Sequence, residues 1–242
     1  MDNLLDWNRW LHIVAGFAGL AAFWIPVFVR KGGELHRYAG RVFRYSAFVV
    51  LTAAGLAVLG RIGHALATGT YPADNPEAWA FLLFLGYLAL VTGGILSHGI
   101  GVLAAKRDLT GLDTPYRRLT AWSMIAASIM IVFWALYWRP DNAILLLALS
   151  PIGIGNGIGI LNLARGRNNR PGQWKIEHLN AMLGCGIAFH TAFAVFGANR
   201  FFSYDIPGAW QILPWIAPAA IGIPASALWA RYYRRRLPPV PA

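Results

Sequence analysis

Charge is what this 242-residue chain has least of: 13% of its residues are charged, about half the share of an ordinary soluble domain. Acids are scarcest, ten Asp and Glu against 21 Lys and Arg. Asp2, Asp6, Glu34, Asp74, Glu77, Asp108, Asp113, Asp141, Glu177 and Asp205 all fall outside long apolar runs or at their ends. Proton relays and ion pathways use carboxylates inside the membrane, and metal-dependent membrane hydrolases need a general base and acidic ligands, so these classes are disfavoured. Lysine is confined to Lys31, Lys106 and Lys175, between the runs. A retinal Schiff base therefore has no buried lysine to use. The lone cysteine, Cys185, excludes an intrachain disulfide and, between two glycines, reads as a small packing residue.

Apolar sequence is what the chain has in excess, 57% of all residues. A soluble protein of this size leaves about a quarter of its unfolded surface exposed and could not hide so much. The chain reads as one integral membrane domain over residues 1–242. A hydrocarbon core of about 30 Å needs about 20 apolar residues of helix. Seven runs qualify: 10–29, 46–68, 78–104, 119–138, 143–164, 178–199 and 211–230. The expected fold is all-α, a polytopic bundle of seven transmembrane helices. The third run is long enough to tilt or overshoot the bilayer, and the seventh, with Pro214, Pro218 and Pro224, is the weakest as a regular helix. MDNLLDWNRW does not read as a secretory signal, so the first run is expected to stay as a span. No internal repeat of the inverted-repeat transporter kind is visible.

The net charge of +11 is distributed unevenly. Segments 30–45, 105–118, 165–177 and the C-terminal tail hold seventeen Lys and Arg; the alternate segments hold only Arg9, Arg139 and Arg200, and Arg61 lies inside the second run. Cytoplasmic loops keep Lys and Arg, which places the N-terminus outside and the C-terminus in the cytoplasm. RKGGELHRYAGRVFR, residues 30–44, becomes the first cytoplasmic loop, with His36, Arg37, Gly40 and Arg41 in it and Gly32, Gly33 and Gly40 to turn it. Its cations meet the anionic headgroups of the bilayer, each worth about 1 kcal/mol near the surface. Division of the cations among four loops with no reading module argues against nucleic acid. Trp7, Trp10, Trp79, Trp138 and Trp210 fall near the outer interface, and Trp174 and Trp229 near the inner one. Ala15/Gly19, Gly153/Gly157 and Gly184/Ala188 suit close helix contact, within the chain or with membrane-protein partners, a second copy included.

Histidine and one arginine are what remain inside the spans. Counted from the span centres, His12 and His64 both lie about 10 Å outward of the midplane, and His98 about 10 Å inward. His190 lies near the midplane, and His178 begins the sixth span near the inner interface. Two neutral imidazoles from different helices at one depth can clamp haem b without a carboxylate. His12 with His64 would be an outer pair, with Arg61, on the same helix face as His64, placed for a propionate. His98 with His178 would be an inner pair. A non-haem metal site shared by His12, His64 and His190 is a further reading, without an HExxH or HxxxH pattern to support it. The plainer reading is that the histidines hydrogen-bond across helices. In the fifth run, SPIGIGNGIGI (150–160) puts Pro151 and four glycines near the bilayer centre. Either a broken helix lines a cavity with Ser150 and Asn156 in it, or another helix packs closely on the glycines.

LHRYAGRVF, with His36-Arg37 and Gly40-Arg41, resembles the bacterial family of membrane proteins known as domain of unknown function 2306, and EHLNAMLGCGIAFHTAFAVFGANR is similar to the histidine-led helix of such proteins. The resemblance implies a multi-pass protein of a bacterial inner (cytoplasmic) membrane and carries no activity. The functional expectation is a histidine-ligated haem b or metal electron-transfer protein; the alternative is a non-redox small-solute carrier or scaffold subunit.

Overall fold

A computed structural model describes residues 2–167, 170–198 and 208–237, with side chains from Asp6 onward and not at Gly208 or Ala209. Asn199, Arg200 and Asp205, and the C-terminal residues from Pro238, lie outside the described residues. Those described are helical or in short turns, with no strand among them. The helices are α1 (Asp2–Phe28), α2 (Glu34–Ala67), α3 (Pro76–Gly101), α4 (Pro115–Trp138), α5 (Ala143–Leu149), α6 (Pro151–Ala164), α7 (Gln173–Ala192, prolonged by a π-helical turn Phe193–Gly197) and α8 (Leu213–Arg234). A 3₁₀ turn, Leu109–Leu112, precedes α4. With α5 and α6 taken together, seven helical units are long and apolar enough to cross a membrane.

Local chemistry sets most helix ends. Asn75 and Thr114 accept from the backbone N–H three residues on, each with proline at the first helical position, the combination that favours a helix start. Gly32, at φ +77°, turns the chain between α1 and α2. Two expectations about that connection need correction. Residues 34–45 are not a loop: His36, Arg37, Gly40 and Arg41 lie in the first turns of α2, and the connection is only 29–33. Nor does Gly40 make a turn. Polar residues can continue a helix beyond the apolar layer, and α2, with 34 residues, is about 51 Å long. The seventh unit, in contrast to its proline content, is one continuous helix over Leu213–Arg234.

The core centres on α3, which buries Phe84, Tyr87, Val91 and Leu96 against α2, α4 and α7. The outer surface is apolar, with Phe28 80% and Ile221 74% exposed. Between such helices, lipid provides no hydrophobic drive, so close packing holds the bundle. Gly153 and Gly157 of α6 do this directly. A Cβ at either would strike α4, at Ser128 Oγ and the Met124 carbonyl for the first and at the Ala121 carbonyl and Ile125 for the second. Gly19 abuts Phe189 and Ser46, while it is Gly186, rather than Gly184, that presses on a neighbour, the Phe23 ring.

The back-and-forth run of the packed helices sets the basic segments at one end, and side-chain contacts join them in pairs. Lys31 stands over the Trp229 ring at 5.7 Å. Lys106 and Lys175 stand over Trp174 at 4.8 and 5.8 Å. At the opposite end, the Asp141 N–H donates to Glu77 at 2.9 Å.

Candidate functional site

At the Lys/Arg-rich end, α3 and α7 meet without clearance. Gly99 of α3 lies where a Cβ would come within 2.6 Å of Ala181 and 2.5 Å of Met182. A chain of polar side chains sits beside that contact. Gln173 Nε2 donates to Glu177 Oε1 at 2.8 Å, one helical turn apart on α7. Glu177 Oε2 faces His98 Nε2 at 3.5 Å, at the long limit of a hydrogen bond. His178 Nδ1 bonds the Gly99 carbonyl at 2.8 Å. A carboxylate and a carbonyl only accept. His98 is therefore the Nε2–H tautomer and His178 the Nδ1–H tautomer when neutral.

His98 is 8% exposed, and its Nδ1 has no protein partner. A buried polar nitrogen without a protein partner is uncommon. The ring borders a narrow crevice with Ser97, Tyr116, Arg117, Thr120 and Ile160. Arg117 joins this crevice to an open cleft of about 790 Å³ beyond the end of α3. Its guanidinium occupies the space a Cβ on Gly101 would need. No acid among the described residues pairs with it. The adjacent Arg118, by contrast, is held in a two-bond pair by Asp113. Chemically, the arrangement offers an unpaired guanidinium for an anion, beside a buried imidazole whose other nitrogen faces Glu177.

Of the other histidines, His12 and His190 bond across helices. His12 Nδ1 bonds the Val50 carbonyl at 3.1 Å, and Asn8 donates to the Ala53 carbonyl at 2.9 Å. This register corrects the shared depth expected for His12 and His64. His64 lies fourteen residues beyond Val50 on α2, about 21 Å further along the axis, and is exposed, as is Arg61. The short 29–33 connection sets the antiparallel register, which span centres alone could not give. His190 Nδ1 bonds the Gly186 carbonyl at 2.7 Å, and its Nε2 accepts from the Trp24 indole at 3.1 Å. Indole N–H only donates, so both His190 nitrogens are taken and no lone pair remains for a metal. His36 lies at the basic end with its ring beside the Pro26 carbonyl and its Nδ1 buried. No group of three or more His, Cys, Asp or Glu among the described residues could hold a metal ion.

These residues do not fit haem b. The outer pair is separated along the axis, and the inner pair stands on helices in van der Waals contact, which leaves no slot for a macrocycle between the rings. At the break in the fifth unit the polar side chains find partners within their own segment. Asn156 Nδ2 bonds the Ile152 carbonyl of its own helix at 2.8 Å, and Ser150 Oγ the Leu147 carbonyl at 3.0 Å. Tyr87 fills the break: its hydroxyl lies 2.9 and 3.1 Å from the Leu149 and Ser150 carbonyls and accepts from the Gly153 N–H at 3.1 Å.

Glu177, Arg117 and Tyr87 were not singled out by the sequence reading. Glu177 carried a signal, since Gln173 precedes it by four residues and His178 follows it. Comparison with family models, with curated proteins and with solved structures returned no match.

Proposed function

We propose that this is a non-redox membrane protein of the binding or carrier class, which takes a small anionic group at its Lys/Arg-rich end. By the charge rule that end faces the cytoplasm. One observation carries the reading: the half-buried Arg117, without an acidic partner among the described residues, lines an open cleft together with Lys106 and Arg107. A guanidinium withdrawn from water without a carboxylate is costly unless an anion compensates it. The bonds made by His12, His178 and His190 support the non-redox side of the proposal, because they use those rings to join helices.

Two measurements test it on the intact protein in mild detergent. A dithionite-reduced minus oxidised spectrum, after growth with a haem precursor, should be flat; sharp α and β bands would return the reading to a b-type cytochrome. Thermal unfolding should shift upward with phosphate, sulfate or a short carboxylate, and Arg117→Gln should abolish the shift. An unfolding midpoint indifferent to every anion would defeat the binding assignment.

A further inference from the structure

Resting on that anion-site reading, we propose that the group bound at Arg117 is the phosphate of an amphipathic ligand, an anionic phospholipid headgroup in the leaflet at the Lys/Arg-rich end. The cleft is lined by Lys106 and Arg107 as well as Arg117. Its acid, Asp108, also lines the cleft and accepts from the Thr110 N–H at 2.9 Å and the Thr110 hydroxyl at 2.7 Å, so cations outnumber acids there three to one. Three cations around one space suit a phosphate better than a singly charged carboxylate, and Arg can bind it through two parallel bonds.

The wall rests on packed side chains and the rim is apolar. Val102, Leu109, Leu112 and Leu163 form a small core of their own beneath the loop, with Trp174 packed against it. The cations are thus carried on a folded platform. Leu103, exposed on the same cleft, gives the ligand an apolar edge. The cleft, about 790 Å³, is open to the surface, a shape that holds a headgroup at the interface rather than enclosing a free ligand. Trp174 beneath Lys106 is the pairing expected where a helix end meets headgroups. A phosphate attached to a glycerol and an acyl chain meets all of these features together.

The test uses the full chain in a non-ionic detergent with four probes: dihexanoyl phosphatidylglycerol, inorganic phosphate, dihexanoylglycerol and acetate. Binding is read from the unfolding midpoint against probe concentration. Phosphatidylglycerol should bind about tenfold or more tightly than inorganic phosphate, and the phosphate-free glyceride should not bind. Arg117→Gln should weaken the lipid by about tenfold, the loss of a charge-assisted pair. Lys106→Gln, at an exposed position, provides a second variant should the half-buried Arg117 prove necessary for folding. Arg41→Gln, an equal change of charge on α2, should leave binding unaltered. Inorganic phosphate binding as tightly as the lipid would make the ligand a soluble phosphate compound and overturn the lipid assignment. Acetate binding as tightly as phosphate, still dependent on Arg117, would overturn the phosphate class and leave the anion site standing. No Arg117-dependent binding of any probe would overturn both.

Discussion

Asp113 and Arg118 show what a single charged side chain does at the edge of this bundle. The bonds from Arg118 hold the Asp113 carboxyl below the usual carboxylate range. A lowered carboxyl contributes stability above its unfolded-state value, and that contribution disappears as the pH falls through the lowered folded value. The pair is exposed, so its global effect is small, and the sensitive readout is local. The Asp113 and Thr114 amides bond the Thr110 and Leu112 carbonyls at 2.9 and 2.8 Å. Asp113→Asn should lower their hydrogen-exchange protection at neutral pH, and the difference from the natural protein should vanish well below pH 4, near the ordinary carboxylate value. A difference that persisted at pH 2 would mean the pair is not its cause. Lys31 is the counterpart at the next connection. It donates to the Pro26 and Val27 carbonyls at 2.6 and 2.7 Å, and burial draws its amine below the ordinary lysine range. Residue roles of this kind were poorly legible in the sequence. His12, His178 and His190 each bond a backbone carbonyl, and a carbonyl is present at every position. No residue pattern could therefore announce the partner.

Helices were legible where apolar runs decide them and obscure where polar residues extend them, as the first turns of α2 show. The same holds for the join of α5 and α6. Pro151 announces the break, since it lacks the N–H that would bond Leu147. Nothing near it announces Tyr87, which arrives from α3. This hydroxyl replaces a helical bond, accepting from Gly153 and donating across the gap. Tyr87→Phe should leave the buried Gly153 N–H unsatisfied and cost about 1–3 kcal/mol in reversible unfolding. In a Pro151→Ala background the ladder can close on itself, and the same substitution should cost clearly less. Equal losses in both backgrounds would show that the hydroxyl serves some purpose other than bridging the break. The glycines of α6 fit this account: Gly153 and Gly157 face α4 without room for a Cβ, whereas Gly155 and Gly159 have no neighbour within 4 Å. Alternation of glycines in SPIGIGNGIGI thus includes one packing face, which is why the stretch could be read from sequence as either cavity or contact.

At the scale of the whole molecule, the alternation of charge makes one claim that contacts between helices do not address, namely which end faces the cytoplasm. Seventeen cations in four segments against three in the others resist translocation in the same sense, and each additional Lys or Arg near the cytoplasmic surface gains about 1 kcal/mol from anionic lipid. The Arg117 cleft shares this end with those segments, so its proposed ligand depends on the same assignment. In a Cys185→Ala background, single cysteines at Arg41 and Tyr71 report on the two ends, since both positions are exposed. A membrane-impermeant maleimide on intact cells should label Tyr71→Cys and should reach Arg41→Cys only after permeabilisation. The reverse pattern would place the cleft in the opposite leaflet, where its ligand would have to be sought among external anions. Labelling of both in the same cells would mean mixed insertion, which so uneven a charge distribution should prevent.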